Sequence, residues 1–234
     1  MSRKYFFTAA ICLFFLLSSA GLYAQSSLTK KGLNGALFDV KTTFGADGGL
    51  KDCGGRLGYS IGGILDVGMT FDIGFDEIES RDSTETNIGI RYGILLLKQE
   101  DYSPVTLELG GSYGYSFIES GYYADQDLQK EGHGYNLTLQ LLRDVGTTDS
   151  LNIRLGVLGS FRSYNYTIQD ISSTAEELRE FSPERKTGYL YGPLLTFFKK
   201  TRRGRTWFLS FEPLADGDFD VYTTVRTGFA FETR

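Results

Sequence analysis

Between Leu65 and Asp76 apolar and polar residues alternate without a break. Leu65, Val67, Met69, Phe71, Ile73 and Phe75 stand against Asp66, Gly68, Thr70, Asp72, Gly74 and Asp76. A repeat of two is that of an extended strand, whose successive side chains point to opposite faces. A helix with this pattern would scatter its apolar groups around its whole circumference. Six apolar positions in register exceed the needs of an ordinary globular strand and match a tilted bilayer crossing.

The same pattern recurs along the chain from Ala36. It predicts strands at Ala36–Phe44, Arg56–Ile61, Leu65–Phe75, Ile88–Leu96, Val105–Phe117, Tyr135–Leu141 and Leu151–Phe161. Less regular ones follow at Tyr189–Phe197 and Trp207–Phe211, and a final one at Val221–Phe231. Gly62-Gly63 reads as a two-residue hairpin turn. The expected fold is all-β: a closed antiparallel up-and-down transmembrane β-barrel of about ten strands. Eight is the alternative, because Pro193 and Pro213 fall inside the irregular pair and proline suits a strand interior poorly.

A soluble lipid-binding barrel would turn its apolar face inward, whereas a membrane barrel turns it toward hydrocarbon. Here the polar face is rich in Gly, Ser and Thr, with isolated charges of both signs. Asp66, Asp72, Arg91, Glu108, Arg154, Arg162 and Arg226 are the candidate lumen-facing residues. Small residues and charges able to pair across a narrow space suit the inside of a membrane barrel. Aromatics such as Tyr113, Tyr115, Tyr189, Trp207 and Phe229 suit girdles at its two interfaces.

The first two dozen residues read as an export leader, with Ser2-Arg3-Lys4, an apolar run from Tyr5 to Leu17, and small residues ending at Ala24. The expected organisation is a cleaved signal peptide at 1–24, a short segment at 25–35 and a barrel domain at 36–234. Loss of Arg3 and Lys4 with the leader takes the formal charge from −5 to −7, which argues against a nucleic-acid partner. Cys12 would leave with the leader, and Cys53 alone cannot form an intrachain disulfide. No later apolar run is long enough for a helical membrane span.

Connections after even-numbered strands (62–63, 98–104, 144–149, 199–205) are short, while the odd set includes the long segments 119–132 and 164–186. The odd set is strongly acidic and the even set slightly basic. Short periplasmic turns, longer external loops and periplasmic termini are therefore expected. Residues 174–181 have helix-forming composition within the longest loop, and the basic turn Lys199–Arg205 suits lipid phosphates.

Chain-wide strand alternation, the leader and the aromatic-rich last strand with Phe229 and Phe231 resemble the small outer-membrane β-barrel proteins of Gram-negative bacteria, the porin-family group. The chain differs from the commonest form in ending on Arg234, with Phe231 as the nearest aromatic. The resemblance implies outer-membrane location and contact with its lipids.

No catalytic, cofactor or metal residues are expected. One histidine and one cysteine outside the leader cannot supply a zinc set. His133, near Asp125, Asp127 and Glu131, is the sole candidate for rim acid–base chemistry, and no serine nucleophile stands beside it. Ten strands leave little more room than eight, which side chains fill. The reading is thus a structural or surface-interaction barrel with at most weak conductance. A small pore is the alternative, and a rim hydrolase using His133 a distant third.

Overall fold

The computed structural model describes residue 28 and residues 32–78, 81–99, 103–126, 128–147, 151–170, 184–201 and 205–233. The expected leader and the helix at 174–181 lie outside the described residues, as does the centre of the basic turn.

Ten strands run in sequence: β1 Asn34–Gly45, β2 Leu50–Ile61, β3 Leu65–Ile78, β4 Arg81–Leu97, β5 Thr106–Ser120, β6 Leu128–Thr147, β7 Asn152–Asp170, β8 Glu184–Lys200, β9 Arg205–Asp216 and β10 Val221–Thr233. One short helix, α1 (Gly121–Ala124), lies between β5 and β6, capped by the Ser120 hydroxyl, which accepts from the Tyr122 amide. Each strand pairs antiparallel with its neighbours, and β1 closes the barrel on β10 from Asn34↔Thr233 to Gly45↔Tyr222. An even strand number lets an up-and-down sheet close antiparallel, so no strand edge is left open.

The Gly62-Gly63 turn forms as the sequence suggests. Both residues have φ of +62°, and the Ile64 amide donates to the Ile61 carbonyl at 3.1 Å. Two successive positive φ values define the turn whose twist matches flanking strands, and glycine reaches them without a Cβ clash.

The count of ten settles the eight-strand alternative. Pro193 and Pro213 fall at facing positions on β8 and β9, and pairing lapses there between Tyr191↔Ala215 and Leu195↔Phe211. Neither proline has an amide hydrogen to donate. Each strand is nevertheless held on its other side, β8 by β7 and β9 by β10.

The loop expectations need correction. Much of 119–132 and both ends of 164–186 belong to strands, since β6 starts at Leu128, β7 continues to Asp170 and β8 starts at Glu184. The long β6–β7 hairpin is paired from Thr147↔Asn152 to Leu128↔Asp170. Ladder hydrogen bonds carry these strands past the point where clean hydrophobic alternation stops. The connections at the two ends are consequently similar in length, apart from the one between β7 and β8.

The outer surface is apolar. Leu57, Val67, Met69, Phe71, Ile88, Ile90, Leu137, Leu139, Leu155 and Val157 all face outward and are exposed. Tyrosines 113, 115, 135, 189 and 191 and Trp207 are exposed on the same face. A continuous apolar surface around a closed barrel far exceeds the patches a water-soluble monomer tolerates, and it fits a hydrocarbon surrounding.

Replacing Ile90, 61% exposed at the centre of β4, tests this directly. Ile90→Arg is expected to lower stability in lipid vesicles by roughly 2–4 kcal/mol, read from reversible denaturant unfolding. A neutral or stabilising effect would place this face in water.

Candidate functional site in the barrel lumen

The inward positions alternate with the outward ones, so the side chains that share the lumen are fixed by the same parity that builds the strands. They form three zones along the axis. At the end carrying the chain termini, Leu28, Leu37, Phe208 and Ala230 form a buried apolar cluster, with Phe198 packed against it. Leu28 precedes β1. The chain turns at Gly32, whose φ is +86° and whose amide donates to the Gly62 carbonyl at 2.9 Å. The Gly62 amide in turn donates to Asn34 Oδ1 at 2.8 Å. The segment ahead of the barrel is thereby tied to the β2–β3 turn, with Leu28 buried in the apolar cluster.

Charges dominate the middle zone. Asp39 is fully buried and accepts from Arg56 Nε and, at 2.8 Å, from Arg226 Nη1. Arg226 also donates through Nε to Glu212 Oε1 at 3.1 Å. These four side chains come from β1, β2, β9 and β10 and bridge the seam where the barrel closes. Lys41 lies 3.1 Å from both Asp52 and Asp72. Nearer the terminal end, Arg154 grips the Asp144 carboxylate at 2.6 and 3.1 Å.

Toward the opposite end the lumen becomes aromatic. Lys130, almost wholly buried, donates to Glu184 at 2.5 Å and sits over the Tyr166 ring at 5.0 Å and the Tyr123 ring of α1 at 5.8 Å. The Tyr166 hydroxyl donates to Glu85 at 3.0 Å, and Tyr164 stacks on Tyr166 with ring centroids 6.0 Å apart. A cavity of about 710 Å³ runs along the lumen, bordered by groups from all three zones, among them Leu28, Phe208, Arg226, Asp72 and Tyr164. That volume lies in the range of small-molecule sites.

Six of the seven residues singled out in the sequence border this cavity: Asp72, Arg91, Glu108, Arg154, Arg162 and Arg226. Asp66 is buried on the same face of β3 as Asp72. Three of them form ion pairs with residues outside this set. Asp72 meets Lys41, Arg154 meets Asp144, and Arg226 meets Asp39 and Glu212. Asp39, Lys41 and Arg56 also stand at polar positions of the alternation, and Asp52 lies ahead of the strand expected from Arg56, but which charges meet depends on register, which a single strand pattern does not carry. Tyr164 and Tyr166 were hidden in a segment read as loop.

His133 faces outward on β6, its ring 6.1 Å from that of Tyr113. Asp125 pairs with Arg81, and Asp127 lies outside the described residues. Among the described residues no three His, Cys, Asp or Glu side chains converge as a metal site.

No protein-family model matches this sequence, and no curated protein is similar to it. Solved structures are similar in fold. The translocator domain of the autotransporter NalP from Neisseria meningitidis superposes with a TM-score of 0.51 at 9% identity, covering 87% of this chain and 90% of that one. The β domain of the Bordetella autotransporter BrkA gives 0.49 at 7% identity over 87% and 100%. Ail, the attachment invasion locus protein of Yersinia pestis, gives 0.39 at 8% identity over 87% and 100%. At such identities the likeness is one of fold: a closed barrel of the kind found in outer-membrane proteins.

Removing one member of a buried ion pair leaves its partner's charge uncompensated, at a cost of roughly 3–5 kcal/mol. Asp39→Ala is therefore expected to destabilise the barrel by that amount, followed by Trp207 fluorescence during denaturant unfolding. Asp218→Ala, on an exposed turn, should change stability by less than about 0.5 kcal/mol. Equal effects from the two would refute the seam network's role.

Proposed function

We propose that this protein is an integral outer-membrane barrel that conducts weakly or not at all and acts at the cell surface through the end opposite its termini. The observation that carries this reading is the apolar cluster of Leu28, Leu37, Phe208, Ala230 and Phe198 across the terminal end of the lumen. Hydrated ions do not cross such a constriction readily, because nothing in it replaces lost water. Above it, the Arg56–Asp39–Arg226–Glu212 chain spends the lumen's charges on one another. The lumen is then a well, closed below and lined with polar groups.

Orientation follows from the chain ends and the acidic connections. The termini and the tight β2–β3 turn face the periplasm, and the β9–β10 turn faces outward. That turn presents Phe219, 77% exposed and held at φ +66°, with its amide donating to the Asp216 carbonyl at 3.2 Å. A bulky apolar residue kept in a left-handed backbone conformation in water suits a contact surface better than a mere connection.

Planar-bilayer recording of the purified barrel is expected to give no large, stable openings. A Leu37→Ala, Phe208→Ala double variant should raise the conductance above that of the wild type. Large openings from the unmodified protein would overturn the reading in favour of a pore. For orientation, Phe219→Cys in intact cells should react with a membrane-impermeant maleimide, whereas Gly63→Cys should not.

A further inference from the structure

Most basic side chains bordering the lumen have a carboxylate. Lys41, Arg56, Lys130, Arg154, Lys186 and Arg226 each lie within ion-pair distance of one. Lys51, Arg91 and Arg162 border it without an ion pair among the described residues, and the Arg162 Nε is buried without a hydrogen-bond partner. A guanidinium drawn out of bulk water with no carboxylate within ion-pair distance is only partly compensated, and an arriving anion makes up the remainder.

Strand register places the two arginines at the ends of one row. Arg91 on β4 lies opposite Ser112 on β5, Ser112 opposite Asn136 on β6, and Asn136 opposite Arg162 on β7. Three strand spacings separate the arginine backbones, about 14 Å, a gap that two long side chains can narrow from both ends. The Asn136 carbonyl oxygen is already occupied, accepting from Thr138 at 2.7 Å and Ser160 at 3.2 Å. What Asn136 has left to offer the lumen is its NH₂ group. The row therefore presents donors only on its charged and amide members, with the Ser112 hydroxyl free to join them.

Space is provided beside it. A Cβ on Gly188, opposite Arg162, would meet nothing within 4 Å. Below the row sits Glu108, almost fully buried, with its Oε2 lacking a hydrogen-bond partner. The Glu108 and Asp66 carboxylates both come within 3.5 Å of where a Cβ on Gly93 would be. Donors thus face acceptors across a hollow.

We propose that this row binds the oxyanion of a small hydroxyl-rich solute, a carboxylate or phosphate monoester, whose hydroxyls donate to Glu108. A guanidinium–oxyanion contact is charge-assisted and, with arginine, often two-pronged. The carboxylates below the row repel a second negative group, so the solute is charged at one end only. The cavity of about 710 Å³ holds a molecule of monosaccharide size. This deepens the closed-lumen reading and rests on it for retention of the solute. Bilayer recording tests that reading and calorimetry this one, so each can fail alone.

The test is titration calorimetry of the full chain, folded in detergent, with glucuronate, glucose 6-phosphate, glucose and the diacid glucarate. Saturable binding of glucuronate or glucose 6-phosphate is expected, with glucose and glucarate much weaker; whichever of the first two binds assigns the oxyanion to carboxylates or to phosphate esters. Arg162→Gln and Arg91→Gln should each weaken binding roughly tenfold or more, the loss expected for one charged hydrogen bond. Arg185→Gln, at an exposed rim position, should leave it unchanged. Asn136→Asp, which keeps the side chain's size and puts a like charge in the row, should abolish binding even if an arginine variant fails to fold. Absence of binding by both anions, or undiminished binding in a correctly folded Arg91→Gln, Arg162→Gln double variant, overturns the proposal.

Discussion

A sheet in hydrocarbon cannot leave an edge unpaired, because no water is present to satisfy its amides and carbonyls. Pairing of β1 with β10 is what removes that edge here, and most of the remaining structure follows from it. Closure commits every second side chain to a shared interior only ten strands around. Charges that would be harmless on an open surface must then find one another. The seam shows the result: Asp39 on β1, Arg56 on β2, Glu212 on β9 and Arg226 on β10 join the two ends of the sheet through side chains as well as through the backbone.

The interior also has to hold its side chains without splitting the wall. Several inward positions are glycines whose neighbours already occupy the space a Cβ would need. A Cβ on Gly134 would lie 2.3 Å from the Tyr164 ring, and one on Gly114 would lie 2.6 Å from the Asn87 amide oxygen. Larger groups on one strand lie over bare backbone on the next. Small residues on the polar face are therefore part of the packing, and they decide where the cavity is filled and where it stays open.

Period-two alternation made the architecture legible, because parity alone distinguishes the two faces and a closed barrel has only two faces to assign. Strand number survived the prolines because a strand needs only one intact neighbour to hold its course, and β7 and β10 supply it. Strand length was not legible. Near Leu128–Gly134 and Tyr164–Asp170 the outward positions carry His133, Glu131 and Asn165, polar groups outside the hydrophobic belt, so the pattern fades while the ladder continues. Ion-pair partners were illegible for a different reason. They are set by the offset between strands, and Asp39 meets Arg226 across 187 residues of sequence.

The apolar cluster at one end of the lumen bears on the unpaired charges. In a barrel open at both ends, water and salt would reach Arg91 and Arg162 freely and screen them within about 8 Å. With the apolar cluster of Leu28, Leu37 and Phe208 at the terminal end, water is scarcer on that side of the lumen and screening is weaker there. Local neutralisation then becomes a strong preference, met at the seam by Asp39 and Glu212. Along β4 to β7 the inward row of Arg91, Ser112, Asn136 and Arg162 holds no carboxylate of its own. The same scarcity of water that favours the seam's ion pairs leaves this wall seeking an anion from outside the chain.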